Sequence, residues 1–262
     1  MVGFAIMARF CNWKVDALSA LELLSRTSEP FQKWARLVNE YNTFKTSYPG
    51  SLEIRFREGL FEAVCDEQVC LRIDLLNDRK NYFRKNLKGK KDLLLRALGI
   101  GQVGQAVIDL TCGLGRDTIF LAQQGMKIVS FERDPLIAFL FESSLVLQKP
   151  FSKDNIQFHW ANTMNKNFEF PPAETAYFDP MYPLSRRMTA RPKKEIEFLR
   201  NHLGSPENMK NEEDFVAHLI EKKIFRRITV KVHPQGQFNP GVLPHHVYRG
   251  EAVSYHSYLT RS

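Results

Sequence analysis

At 262 residues the chain is long enough for one large domain, or one large and one small, with a core that needs no disulfide or metal staple. Hydrophobic residues make up 44% and charged residues 25%, without low-complexity tracts or a fixed repeat, which excludes a disordered chain and a solenoid. Lys and Arg outnumber Asp and Glu by 37 to 29, a formal charge of +8, which favours polyanionic partners without specifying one.

The first eight residues are apolar but lack a basic n-region and are too short for a signal segment, and no stretch approaches the roughly 20 apolar residues of a membrane span. A cytoplasmic protein is expected. The cysteines Cys11, Cys65, Cys70 and Cys112 form neither a redox pair nor a zinc pattern, so reduced thiols are expected.

Helical spacing runs over 17–24 and 31–41, followed at Pro49-Gly50 by a turn into strands. Leu52, Ile54 and Phe56 alternate there with Glu53, Arg55 and Arg57, the period of a half-buried strand. Residues 1–76 therefore read as a small α+β domain. Over 77–91 the chain carries Arg79, Lys80, Arg84, Lys85, Lys88, Lys90 and Lys91 beside Tyr82 and Phe83. Such a run is first a solvated linker or exposed helix face, and second a phosphate-tracking surface in which Tyr82 could stack on a base and Arg84 and Lys85 meet the backbone.

From 101 onward strands and helices alternate. Strands are expected at 106–110, 127–132, 156–160, 173–179, 227–232 and 252–259, with helices at 116–124, 192–203 and 212–224. Asp134-Pro135 supplies an N-cap and first-turn proline for a further helix to about 148. This alternation implies an α/β fold with a mostly parallel sheet covered on both faces. Residues 77–262 form that domain.

Between the first strand and helix stands Asp109-Leu-Thr-Cys-Gly113-Leu-Gly115-Arg116-Asp117. Glycines there permit a tight turn and let a ligand approach the backbone at a helix N-terminus, although a plain strand-to-helix turn reads the same way. Glu132 ends the next strand, twenty-three positions after Asp109, where an acidic residue accepts hydrogen bonds from an adenosine ribose. Thr118 occupies the third glycine position of the dinucleotide fingerprint, which disfavours a nicotinamide or flavin oxidoreductase.

The second motif is Tyr177-Phe178-Asp179-Pro180-Met181-Tyr182-Pro183. Asp179 can accept from an exocyclic amine, Pro180 aims a backbone carbonyl at the same nitrogen, and Tyr182 can stack on a planar base. This is the logic of the Asp-Pro-Pro-Tyr motif of amino methyltransferases, with Met181 in place of the second proline. An aromatic amine is a poor nucleophile, so N–H acceptors and alignment carry the catalysis and no covalent intermediate is needed. Arg186, Arg187, Arg191, Lys193 and Lys194 follow, where an RNA backbone beside a bound base would need neutralising.

Together these residues resemble the bacterial family that methylates a guanine N2 in small-subunit ribosomal RNA, the RsmJ type. The likeness runs from about Leu52 to the C-terminus and is strongest at 109–117, 131–135, 179–183 and 193–195, while the first 50 residues match poorly. It implies a Rossmann-like class I fold and S-adenosylmethionine as cofactor. Its implied cofactor contacts are Arg116, Asp117, Glu132, Arg133, Asn162, Thr163 and Asp179, which join the turn residues Asp109, Gly113 and Gly115 and the base-side residues Asp179, Pro180 and Tyr182 read from the motifs themselves. Small-subunit ribosomal RNA, free or in an assembled subunit, is the implied partner. Lys231-Val-His-Pro departs from the family's Lys-Arg-Pro. His245, His246 and His256 lack metal-ligand spacing, so no metal is expected. An adenine-N6 methyltransferase and a non-catalytic RNA-binding assembly factor of the same fold are the alternatives.

Overall fold

The computed structural model describes residues 52–65, 67–77, 92–99, 101, 104–149, 155–180, 198–199, 207–233, 236, 238–251 and 253–260. The helices expected at 17–24 and 31–41, nearly all of 192–203, and the basic run at 78–91 lie outside them.

Three antiparallel strands open the described chain: β1 (Leu52–Arg57), β2 (Leu60–Cys65) and β3 (Gln68–Arg72), paired in that order. One compact unit joins this small sheet to helix α3 (Pro135–Gln148). The Phe61 and Phe139 rings meet edge to face at 5.0 Å, Ser144 Oγ donates to Ile73 O at 2.8 Å, and Gln148 both accepts from Leu75 N and donates to Asp74. The helix begins where the sequence indicates, with Asp134 accepting from Leu136 N and Ile137 N at 3.0 Å each and Pro135 at the first helical position.

The expectation of reduced thiols fails in this unit: Cys65 and Cys70 form a disulfide. The β2–β3 hairpin pairs Val64 with Val69 and Cys65 with Gln68, and a bulge sits between Ala63 and Val64. That register brings the two Cα atoms to 5.7 Å, within bridging range. A spacing of five residues carries no such signal unless the hairpin is known. Cys112 is free and buried.

The second unit is an α/β sandwich. Its strands are β4 (Ala106–Asp109), β5 (Lys127–Glu132), β6 (Ile156–Trp160), β7 (Thr175–Phe178), β8 (Arg227–Val232), β9 (His246–Arg249) and β10 (Ser254–Leu259). They lie in the order β6-β5-β4-β7-β8-β10-β9. β4 pairs in parallel with β5 and β7, β5 with β6 and β7 with β8, while β10 runs antiparallel between β8 and β9. This is the Rossmann-like arrangement expected, with one strand the periodicity missed. β9 is an edge strand exposed at both ends, recruited by β10 and bare of alternation.

Successive residues of the buried strands feed opposite cores, as the pleat requires. Ile108, Ala176, Phe178, Ile228 and Val230 pack with Phe215, Val216 and Leu219 of α4 (Glu207–Glu221). Val107, Ile128 and Tyr177 pack on the other face with α1 (Leu93–Leu98) and α2 (Arg116–Gln123). Helix α4 spans more of the chain than the expected 212–224 at its start and stops earlier, where Lys223 turns the backbone to a φ of 52°. The order of strands reverses at β4, between β5 and β7, and doubly wound sheets hold their ligands at the carboxyl ends of such strands. No helix among the described residues is long and apolar enough to cross a membrane.

Candidate active site

Asp109 ends β4 and is 1% exposed. One carboxylate oxygen accepts from Thr111 N at 3.2 Å and the other from the Thr118 hydroxyl, so the side chain clamps the turn to the first helical residues of α2. Gly113 and Gly115 hold φ values of 54° and 75°, a region that favours glycine, and this tight path carries the chain from strand to helix.

The neighbouring strand ends are stitched to that turn. Cys112 N donates to Phe131 O at 2.7 Å, Gly113 N to Glu132 Oε2 at 2.8 Å and Leu110 N to Tyr177 O at 2.9 Å. Asp179 N donates to Thr111 Oγ1 at 2.7 Å, and Thr163 Oγ1 to Leu110 O at 3.2 Å. Loops after β4, β5, β6 and β7 thus enclose one cavity, lined by Leu110, Thr111, Gly113, Glu132, Arg133, Asn162, Thr163, Met164, Asp179 and Glu212.

Beside it lies a charge cluster. Lys231 Nζ, from β8, donates to Asp117 Oδ2 and Asp179 Oδ2, both at 2.8 Å, while the Tyr177 hydroxyl donates to Asp117 at 2.6 Å. Burial pushes both carboxyls up and Lys231 pulls them down. At Asp117 the cation prevails, with help from the Tyr177 and Arg116 side chains, and the pKa is lowered. At Asp179 burial prevails, with Asp117 adding repulsion, and the pKa is raised. Burial lowers the Lys231 pKa, but the two carboxylates more than reverse it and hold the ammonium well above its usual range.

The family model described as SAM-dependent methyltransferase matches residues 54–260. Ribosomal RNA small subunit methyltransferase J of Nitrosococcus oceani is 31% identical over 203 residues, covering 72% of this chain and 76% of its own. The chain belongs to this methyltransferase family. The proteins of that name from Bdellovibrio bacteriovorus and Coxiella burnetii strain RSA 331 are each 29% identical, over 74% and 73% of this chain and 75% of theirs. A crystallised SAM-dependent methyltransferase of Neisseria gonorrhoeae shares the fold, with a TM-score of 0.59 at 18% identity over 82% of this chain and 85% of its own.

Of the methyltransferase residues named from sequence, Gly113, Glu132, Arg133, Asn162, Thr163 and Asp179 come together on the cavity wall. Asp109 lies beneath the turn, Gly115 caps α2, Arg116 is exposed, and Asp117 faces Lys231 rather than the cavity. Pro180 is buried next to Asp179. Tyr82, Arg84, Lys85, Tyr182, Arg186, Arg187, Lys193 and Lys194 lie outside the described residues. Sequence reasoning did not name Thr111, Met164 and Glu212, and it cited Lys231 only within its departing motif. No group of three or more potential metal ligands occurs among the described residues.

Asp109 also sets a pH dependence. Burial raises its pKa from 3.8 to about 7, against the pull of its Thr118 and Thr111 hydrogen bonds. The folded protein therefore holds the proton that the unfolded chain releases, so this stability is fully present below about pH 4 and lost as pH rises to about 7. Between pH 5 and 8 the wild type is expected to lose on the order of 3 kcal/mol of unfolding free energy relative to Asp109→Asn, at 1.36 kcal/mol per pKa unit. Urea titrations of both proteins across that range check it, and parallel curves would refute it.

Proposed function

We propose that this methyltransferase transfers a methyl group from S-adenosylmethionine to the exocyclic N2 amine of a guanine in small-subunit ribosomal RNA. The observation that carries the reading is the placement of Asp179 on the same cavity wall as Glu132 and Gly113. An amine acceptor and a cofactor-binding carboxylate then serve one space.

The residues fit the cofactor. Glu132 is fixed at the end of β5 by the Gly113 N–H, and an acidic residue at that strand end is the type that accepts from a ribose hydroxyl. Glu132 and Asp179 set carboxyl side chains on the cavity wall, an environment unsuited to a pyrophosphate and suited to a cofactor that carries ammonium and sulfonium charges. S-adenosylmethionine supplies a methyl carbon made electrophilic by its sulfonium sulfur.

The chain's own groups do the rest. Asp179, tied through Oδ2 to Lys231, accepts from the guanine amine, and the Pro180 carbonyl takes the second N–H, so the nitrogen lone pair is turned out of ring conjugation and aimed. Tyr182 stacks on the base. Guanine N2 lies on the Watson–Crick edge, so the base is taken unpaired or flipped. The cationic segments holding Tyr82, Arg84 and Lys85, and Arg186, Arg187, Lys193 and Lys194, neutralise the RNA backbone. The names of the curated relatives support this substrate.

The test is transfer of labelled methyl to small subunits and to naked ribosomal RNA, followed by mass spectrometry of the digested nucleosides. N2-methylguanosine is expected. N6-methyladenosine would assign the adenine reaction instead, and no binding of S-adenosylhomocysteine by calorimetry would point to a non-catalytic assembly factor.

A further inference from the structure

Glu212 stands apart from the machinery described so far. It projects from α4 onto the cavity wall that Asp179 and Glu132 share, yet only 3% of its surface is exposed. Its Oε1 lies 3.8 Å from the Arg133 guanidinium. Its Oε2 is buried and has no hydrogen-bond partner among the described residues.

A carboxylate oxygen stripped of water and offered no donor forfeits its hydration without return, so native structures rarely leave one there unless a ligand completes it. Burial raises the Glu212 pKa to about 7, the Arg133 cation opposes, and the charge of Asp179 adds to the rise. The group is thus electrostatically coupled to the carboxylate that orients the target amine, and a donor brought to that end of the cavity would relieve both.

Guanine carries such a donor beside its N2 amine, the ring N1–H on the same Watson–Crick edge. Adenine has a lone pair at that position. We infer that Glu212 is a specificity-determining residue that accepts a hydrogen bond from N1–H of the target guanine while Asp179 accepts from its N2 amine. Two carboxylates then read two adjacent donors, and a purine with an unprotonated N1 meets lone pair against lone pair. Sites built to hydrogen-bond a particular group reject analogues lacking it far more strongly than apolar pockets do, because the buried partner is left unpaired. This assignment rests on the guanine-N2 reading above.

The test uses the full-length protein and small-subunit RNA in which the methylated guanosine, once located by mass spectrometry, is replaced by 2-aminopurine nucleoside. That base keeps the 2-amine but has an unprotonated N1. Wild type is expected to prefer guanine by on the order of 100-fold in kcat/KM. Glu212→Gln, whose amide can donate to N1, is expected to shrink that preference by about tenfold or more while binding S-adenosylhomocysteine within about threefold of wild type. A purely structural role would lower both substrates alike and leave the ratio unchanged, which overturns the assignment. A large loss of S-adenosylhomocysteine affinity with an unchanged ratio would place Glu212 on the cofactor, and also overturns it. If wild type makes no N2-methylguanosine at all, the guanine reading itself falls and this assignment falls with it.

Discussion

Replacing Asp179 by alanine is expected to lower the rate of methyl transfer on the order of 10²- to 10⁴-fold, the range associated with loss of a positioned proton-accepting group. The fold should survive. Lys231 keeps its 2.8 Å contact with Asp117 when Asp179 is truncated, so no buried cation is orphaned. The Thr111 hydroxyl still receives the backbone N–H of residue 179. Asparagine at this position retains one carbonyl acceptor but loses the charge, and its rate is expected to fall between wild type and alanine. Single-turnover transfer from labelled cofactor measures the rate, and calorimetry with S-adenosylhomocysteine separates it from binding. Activity of Asp179→Ala within threefold of wild type would remove the proposed reacting centre.

The second large effect is expected at Lys231. Lys231→Met takes away the cation to which Asp117 Oδ2 and Asp179 Oδ2 both bond. Two part-buried carboxylates then face one another with only the Tyr177 hydroxyl and more distant charges to compensate. Removing one partner of a fully buried pair costs about 3–5 kcal/mol, and the loss here should lie at or below that range because Lys231 is 29% exposed. Without the cation the carboxyls titrate higher in the folded protein than in the unfolded chain, so the variant gains stability relative to wild type as pH falls. The gap measured by urea unfolding at pH 7 should therefore narrow at pH 5, and Lys231→Met combined with Asp117→Asn should recover part of it. Methyl transfer should fall with stability held constant by working at low temperature, and Lys231→Arg should restore more of it than Met does. A variant as stable as wild type at pH 7 would show that the cluster carries no net electrostatic weight.

Both effects pass through one contact that lies far apart in the chain. Lys231 is 52 residues from Asp179 and 114 from Asp117, and only the insertion of β7 between β4 and β8 makes them neighbours. Nothing in the Lys-Val-His-Pro motif announces it.

What the chain determines locally was legible from residues alone. The Asp109-to-Asp117 turn, the acidic end of β5 at Glu132, the Asp134-Pro135 helix start and the Asp179-Pro180 strand end are all short-range features, governed by hydrogen bonds and backbone conformations within a few positions. Alternation and apolar runs also marked six of the seven strands of the parallel-rich sheet, because a buried strand must present its side chains in that pattern. The tertiary structure alone decided which ends became neighbours. It put Asp109 under the turn instead of in the cavity, brought Cys65 against Cys70 through a hairpin register, added the edge strand β9, and set Glu212 and Lys231 beside Asp179. Those outcomes depend on strand order and on burial that only packing creates, and a periodic pattern carries the identity of a face but not of what comes to lie across from it.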